Sequence, residues 1–430
     1  ISRKFSILLL GEVKMVVKRK KLTRRDITEK ILKKYNVDEE KIDFQTLKNF
    51  KEKMKELTDT RQPKKCTYKI WDIIVVVFIA ILANCDNWEE IREFAILKKD
   101  WFKNFLKLSG GIPSSKTYER IFSILNPKEL ENATTYFVSS VVSIFNSDKD
   151  IINIDGKTDN GSSRNKTMLH ESVKSLNVLN AYSNKYGICL ASERIDKKTN
   201  EIPTTKTILE RLNIKDTIIT WDALNTQKKN IEAVIKGKAD YCVPIKSNHP
   251  VFYQELSLYF NQDKLDTIKA KNDGVTYKIE YEKSHGTIIT YEYFQTEDVT
   301  WFEDLKKWKN LKSFACVKKT IGEGKNKRVE YRYYISSLLN DIELISEAIR
   351  HHWSVENKLH WHLDVTFKQD KNTTMNKNAL LNLQIMKKLA LACLKYTAAI
   401  YDKSLHLIRF NIQLDFEKEI PRFFNILANF

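Results

Sequence analysis

From about residue 50 to 145 apolar positions recur at helical spacing, and beyond residue 150 they gather into short runs. Residues 70–83 are apolar nearly all round, which predicts a helix at the centre of its domain. Asn87-Trp-Glu-Glu predicts an N-cap with Glu90 at the third helical position, opening a helix that runs toward Leu106 and stops at Gly110-Gly111. Ile112-Pro-Ser-Ser-Lys-Thr-Tyr-Glu-Arg then starts another at Ser114 or Ser115. Helix, glycine turn and helix are compatible with a helix-turn-helix unit carrying Lys116 and Arg120, and equally with an ordinary turn between packed helices. Upstream, Thr23 is expected to cap a short helix over 24–35.

The runs at 151–155, 176–183, 187–195, 217–222 and 241–245 predict strands, with helices at 204–212 and 227–236. Strand-helix-strand alternation after two hairpin-like strands predicts a mixed α/β sheet. Further strands at 276–281, 287–293, 314–319 and 329–335 predict a β-rich insertion, and helices follow at 342–367 and 380–400. The expected organisation is a basic extension (1–45), a helical, DNA-binding domain (46–145), a catalytic core (146–250 and 336–400) interrupted by the insertion (251–335), and a C-terminal tail (401–430). Met15, opening a basic run, is a candidate for the true start of the protein.

Composition adds a partner. The 430 residues carry 73 Lys and Arg against 55 Asp and Glu, a net charge of +18 that suits a polyanion. Residues 1–65 hold 20 basic and 10 acidic residues, so +10 of that excess lies there. Six scattered cysteines lack the paired spacing of a zinc or redox motif and suit reduced thiols in a cytoplasmic, nucleoid-associated protein. The longest apolar run is too short to span a bilayer, so no membrane is expected.

Three acids carry the candidate chemistry. Asp155 closes the apolar run Ile151-Ile-Asn-Ile, Asp222 closes Thr217-Ile-Ile-Thr-Trp, and Glu356 sits within the helical stretch Arg350-His-His-Trp-Ser-Val-Glu. Two carboxylates at strand ends and one on a later helix can converge on two Mg²⁺ ions, with Mn²⁺ as substitute, and in a basic chain their substrate would be a phosphodiester. Asp364 rivals Glu356, lying about 80° away round an ideal helix, and otherwise would accept from a basic partner. Lys157, Asn225, Gln227, Lys228, Lys246 and Asn248 are candidate DNA contacts near the strand ends, with ordinary surface roles as the alternative. His351, His352, His360 and His362 cluster round Trp353 and Trp361, where packing and phosphate contacts are expected rather than zinc.

The motifs Ile154-Asp-Gly-Lys-Thr, Asn180-Ala-Tyr-Ser, Thr199-Asn-Glu-Ile-Pro, Asp222-Ala-Leu-Asn-Thr-Gln-Lys, Ala239-Asp-Tyr-Cys-Val-Pro-Ile-Lys-Ser-Asn and His352-Trp-Ser-Val-Glu-Asn-Lys-Leu-His-Trp occur in that order. Together with Trp88-Glu-Glu-Ile and Gly111-Ile-Pro-Ser upstream, they resemble the transposases of bacterial insertion sequences, in the branch that includes the H-repeat-associated proteins, over roughly residues 55–410. The resemblance implies an RNase-H-like (retroviral-integrase-like) core. Its Asp155, Asp222, Glu356 triad would cut element ends on double-stranded DNA and join them to a target, as a homodimer on DNA. Related proteins carry Tyr, Arg and Lys around the final Glu. Here those positions hold Ile349, His352 and Leu363, and Arg350 and Lys368 are the nearest basic residues. A nuclease without strand transfer, or a decayed transposase that only binds DNA, are the alternatives.

Overall fold

A computed structural model describes residues 45–142, 149–167, 170–195, 201–284, 287–322 and 327–428. The helix expected over 24–35 lies outside them. Nine strands form one mixed sheet in the order β3-β2-β1-β4-β5-β9-β8-β7-β6. They are β1 (Ile151–Asp159), β2 (Leu176–Ser183), β3 (Ile188–Ile195), β4 (Ile218–Trp221), β5 (Asp240–Ile245), β6 (Tyr277–Ser284), β7 (Thr287–Thr296), β8 (Ser313–Ile321) and β9 (Arg328–Ser336). β1, β2 and β3 form an antiparallel meander, while β4 and β5 run parallel to β1 after crossovers through the Glu201–Arg211 and Lys228–Lys236 helices.

The insertion differs from expectation in two ways. It opens with two helices, Pro250–Tyr259 and Gln262–Lys271, and its strands are no separate sheet. β9 pairs antiparallel with β5, Cys242 opposite Ser336, so the insertion extends the central sheet. An uncovered β5 would leave a row of backbone N–H and C=O groups unpaired, and β9 satisfies them.

Alternation along β1 divides the two faces of the sheet. Ile152 and Ile154 join Ile208, Ile231 and Val234 of the crossover helices in one core cluster. Ile151 and Ile218 pack with Ile345 and Ile349 of the Ile342–His352 helix in another. A third cluster is helical. The Ile70–Leu82 helix is buried on every side but Trp71, as its all-round apolar sequence predicts.

Expected termini and boundaries shift in this layer. The run from Asn87 does not reach Leu106: a helix ends at Leu97 and a short one covers Lys99–Phe102. Asn87 caps it through the Glu90 N–H at 2.9 Å, but Glu90 reaches back to the Asp86 N–H rather than that of Asn87. The expected tail is not one. Helices Leu405–Leu414 and Phe416–Ala428 bury Ile412, Phe416, Phe423 and Phe424 against the N-terminal helices, because their apolar stripes complete that core. The Lys377–Tyr401 helix joins the same core, with Asn378 and Asn382 donating to carbonyls at the end of the Ser115–Ile124 helix.

Arg409 ties the Leu405–Leu414 helix to the end of the Ile70–Leu82 helix. Buried at 3% exposure, it donates to Asp86 Oδ1 at 3.1 Å, to the Ile81 carbonyl at 2.8 Å and to the Thr366 carbonyl. Removing one partner of a buried pair strands the other charge, so Arg409→Met should cost about 3–5 kcal/mol in denaturant unfolding. Adding Asp86→Asn should recover part of the loss; a single-variant cost below about 1 kcal/mol would show that the pair does not matter.

Candidate active site

The register of the sheet brings the aspartates together. Ile154 pairs with Trp221 across parallel β1 and β4, so Asp155 and Asp222, each one residue further on, stand side by side. Asp155 is not at a strand end as expected: β1 continues to Asp159 because β2 still pairs with it. Asp222 does leave its strand, at the head of the 3₁₀ turn Ala223–Asn225.

Glu356 arrives by a bent route. Asn153, fully buried on the same face of β1 as Asp155, donates to Thr220 Oγ1 at 2.9 Å and to the His351 carbonyl at 2.7 Å. That anchors the end of the Ile342–His352 helix on the sheet. The single helix expected over 342–367 therefore breaks there, and the chain continues in two wide π-helical turns, Glu356–His360 and His362–Thr366. The 80° separation of Glu356 and Asp364 assumed ideal α geometry and does not apply. Glu356 lines one open cavity of about 630 Å³ with Asp155, Asp222, Lys246, Arg332 and His352, whereas Asp364 turns to Lys157 Nζ at 2.7 Å. π turns recur at functional sites.

Burial pushes the Asp155 carboxyl up to about 7; an N–H bond from Gly156 opposes the rise and the charges of Glu356, Glu201 and Asp222 add to it. Burial also works against charge on Asp222, but the Lys246 hydrogen bond at 2.7 Å and the Ala223 N–H outweigh it and hold that carboxyl low. Burial keeps His352 and His362 down at about 4 and His360 at about 3. These rings pack and hydrogen-bond, His352 to Thr220 and His362 to Thr366. Among the described residues no three His, Cys, Asp or Glu side chains stand close enough together to hold an ion. The oxygen donors of the cleft, with one carboxyl destabilised by like charge, suit a hard divalent cation once Lys246 releases Asp222.

Several residues expected to contact DNA are committed elsewhere. Lys157 is buried and bound to Asp364, with Asp370 at 3.9 Å. Arg350 is held by Glu280 at 2.5 Å and Glu282 at 3.4 Å. Asn225 is fully buried, donating to Glu201 at 2.8 Å and accepting from Thr205 at 2.9 Å. Gln227 and Asn248 bond the carbonyls of Leu224 and Ala223 and so brace the turn after Asp222. Exposed Lys228 lies over the Trp308 ring, exposed Lys368 is 3.8 Å from Asp86, and Lys116 and Arg120 are exposed on the Ser115–Ile124 helix. Sequence reasoning missed Asn153 and Glu201. The first shows as a polar residue inside an apolar run; the second lies within the motif Thr199-Asn-Glu-Ile-Pro, which by itself gives it no role.

The family description "Transposase DDE domain" matches residues 146–393, and "DDE_Tnp_1-associated" matches residues 51–138. The chain belongs to the DDE transposases. It is 30% identical over 347 residues to "Putative transposase YncI" of Escherichia coli O157:H7, covering 79% of this chain and 85% of that protein. To the "H repeat-associated putative transposase YhhI" of Escherichia coli K12 it is 30% identical, over 77% of this chain and 86% of that protein. A solved piggyBac transposase synaptic complex with hairpin DNA covers 92% of this chain and 80% of its own at 10% identity and a TM-score of 0.37, too remote to inform residue roles. The branch of insertion-sequence DDE transposases that includes the H-repeat-associated proteins is thus the one to which the resemblance points. No helix among the described residues of this DDE transposase is long and apolar enough to cross a membrane.

Because its folded value is raised, Asp155 favours folding in its neutral form below about pH 4, and that contribution is lost as pH rises toward 7. Without divalent ions, Asp155→Asn should therefore be more stable than the parent at pH 8, on the order of 1–4 kcal/mol, with the gap closing toward pH 5. Equal melting temperatures at pH 8 would show that the carboxyl carries no such penalty.

Proposed function

We propose that this transposase cuts insertion-sequence ends and joins them to target DNA, with Asp155, Asp222 and Glu356 as its ligand and catalytic set. The single observation that carries the reading is the convergence of these three carboxylates on one open cleft in a DDE-family chain. The order β3-β2-β1-β4-β5, with β1 to β3 antiparallel and β4 and β5 parallel to β1, supports an RNase-H-like core. Two Mg²⁺ ions held by the triad would supply the Lewis acidity that activates the attacking oxygen and stabilises the leaving one.

The protein's own part is positioning. Asp155 sits on a central strand braced on both sides, Asp222 on a turn braced by Gln227 and Asn248, and Glu356 on a segment anchored by Asn153. Lys246 holds Asp222 in the meantime, and on release its ammonium is placed to meet a DNA phosphate. Arg332 at the mouth of the cleft offers a second cation. The partner is double-stranded DNA, with a homodimer and a cytoplasmic, nucleoid-associated setting as parts of the proposal.

A supercoiled plasmid bearing the element ends tests this. With millimolar Mg²⁺ or Mn²⁺ the protein should yield cut and joined products, and a zinc-selective chelator should not stop it. Asp155→Ala, Asp222→Ala and Glu356→Ala should each abolish both products, by about 10³-fold or more, while remaining folded. Nicks without joining would mean a nuclease, and retardation without cleavage a transposase that only binds. If Glu356→Ala stays active and Asp364→Ala does not, the third ligand is Asp364.

End recognition falls, in this reading, to the exposed face of the Ser115–Ile124 helix. Deleting the N-terminal helices would uncover the apolar faces of residues 377–424, so point changes are the cleaner probe. Lys116→Ala with Arg120→Ala should weaken end binding and flatten the log–log salt dependence by about 0.9 per lost phosphate contact. A loss confined to element-end DNA would mean base reading, a uniform loss phosphate contact, and no loss would place recognition elsewhere.

A further inference from the structure

We propose that Lys388, Asn180 and His360 form a relay that presents a ring N–H to Asp155 and thereby fixes that carboxylate's orientation. The inference rests on the reading of Asp155 as a ligand and extends it to residues that contact neither DNA nor metal.

Asn180 stands directly opposite Asp155 in the antiparallel β1–β2 register and is buried at 1% exposure. Its Oδ1 receives Lys388 Nζ at 2.6 Å, Ser192 Oγ at 3.2 Å and Cys189 Sγ at 3.8 Å. An amide oxygen only accepts and an amide NH₂ only donates, so donors gathered at one end fix which way the group points. The NH₂ therefore faces His360 Nε2, 3.4 Å away. A ring nitrogen opposite a donor must be the unprotonated one, which places the ring proton on Nδ1. Nδ1 lies 3.5 Å from Asp155 Oδ2, facing the carboxylate at a distance somewhat longer than a settled hydrogen bond. Direction thus passes from the buried end of Lys388, on the Lys377–Tyr401 helix, to the carboxylate, and the contacts favour the Nδ1–H tautomer.

The geometry also gives the buried Lys388 ammonium its partners. Lys388 gives a second bond to Ser192 Oγ at 2.6 Å, so the group that orients Asn180 is itself held on β3. His360 follows Glu356 by one wide turn, and the same segment therefore brings a ligand to the cleft and a donor to its neighbour.

The test uses the full-length protein with ¹⁵N-labelled histidine. Long-range ¹H–¹⁵N spectra report the tautomer of His360, whose ring is assigned by its absence in His360→Gln and His360→Asn. The expected result in divalent-free buffer is Nδ1–H. Lys388→Met, which keeps the length and removes the donor, should shift the ring toward Nε2–H. In plasmid cleavage, His360→Asn places an amide where Nδ1 was and should stay within about tenfold of the parent. His360→Gln places it where Nε2 was and should fall by about 10²-fold, with a higher Mg²⁺ requirement. A purely structural histidine would not distinguish the two in that order. An Nε2–H ring in the parent protein, which needs no Lys388 variant to fold, overturns the relay, as does a ring unmoved by Lys388→Met. If Asp155→Ala still cleaves, the reading of the triad has failed; if it is inactive and the ring is Nε2–H, only the relay has.

Discussion

The site depends on one buried amide. Asn153 occupies a position in β1 where its apolar neighbours would predict another aliphatic side chain, and its NH₂ joins β1 to Thr220 on β4 and to the His351 carbonyl. Asn184, which donates to Asn153 and accepts from Ser354, closes the network on the far side of the helix end. Leaving any of these polar groups unpaired in the interior would cost about 1–3 kcal/mol, so the helix stops where the sheet captures it. From that stop follow the wide turns, the position of Glu356 beside the aspartates and the diversion of Asp364 to Lys157. A candidate constellation drawn from residues about 200 positions apart is thereby brought to one cleft.

Charge in the cleft is arranged as tension held in check. Three acids face one opening in a chain of net charge +18, yet the cations nearest them are already engaged. Lys246 binds Asp222, Lys157 binds Asp364, and Arg350 is taken by two glutamates of the β6 edge strand. Asp155 has no lysine or arginine beside it among the described residues, and burial, with like charge adding, raises its carboxyl to about 7 while Lys246 holds Asp222 low.

Much of this was legible in the sequence. The apolar runs ending at Asp155 and Asp222 marked strands, and Asp222 does stand at the end of its own, whereas Asp155 lies within β1 because pairing with β2 carries that strand four residues further. The all-round apolar stretch at 70–82 could only be a central helix. What failed was partnership at a distance. Lys157, Asn225 and Arg350 look like free surface groups because their partners lie on elements that only the fold brings near. The pairing of β9 with β5 has no local signature either, since an alternating strand says which side is buried and not which neighbour it joins. The C-terminal stripe of Phe416, Phe423 and Phe424 has helical spacing, but spacing alone does not say which core it completes.

The shared helical core carries a consequence for biosynthesis. The Ile70–Leu82 helix is covered by residues of the Leu405–Leu414 and Phe416–Ala428 helices, with Arg409 bonded to the Ile81 carbonyl at its tail. At roughly 5–20 residues per second, a ribosome needs some tens of seconds after making that helix to make its cover. During that interval the most apolar segment of the protein must remain incompletely packed while still tethered to its own message. The nascent chain is therefore most exposed to chaperones and proteases in that interval, and the region bearing Lys116 and Arg120 gains its finished shape only after residues 405–424 have been made.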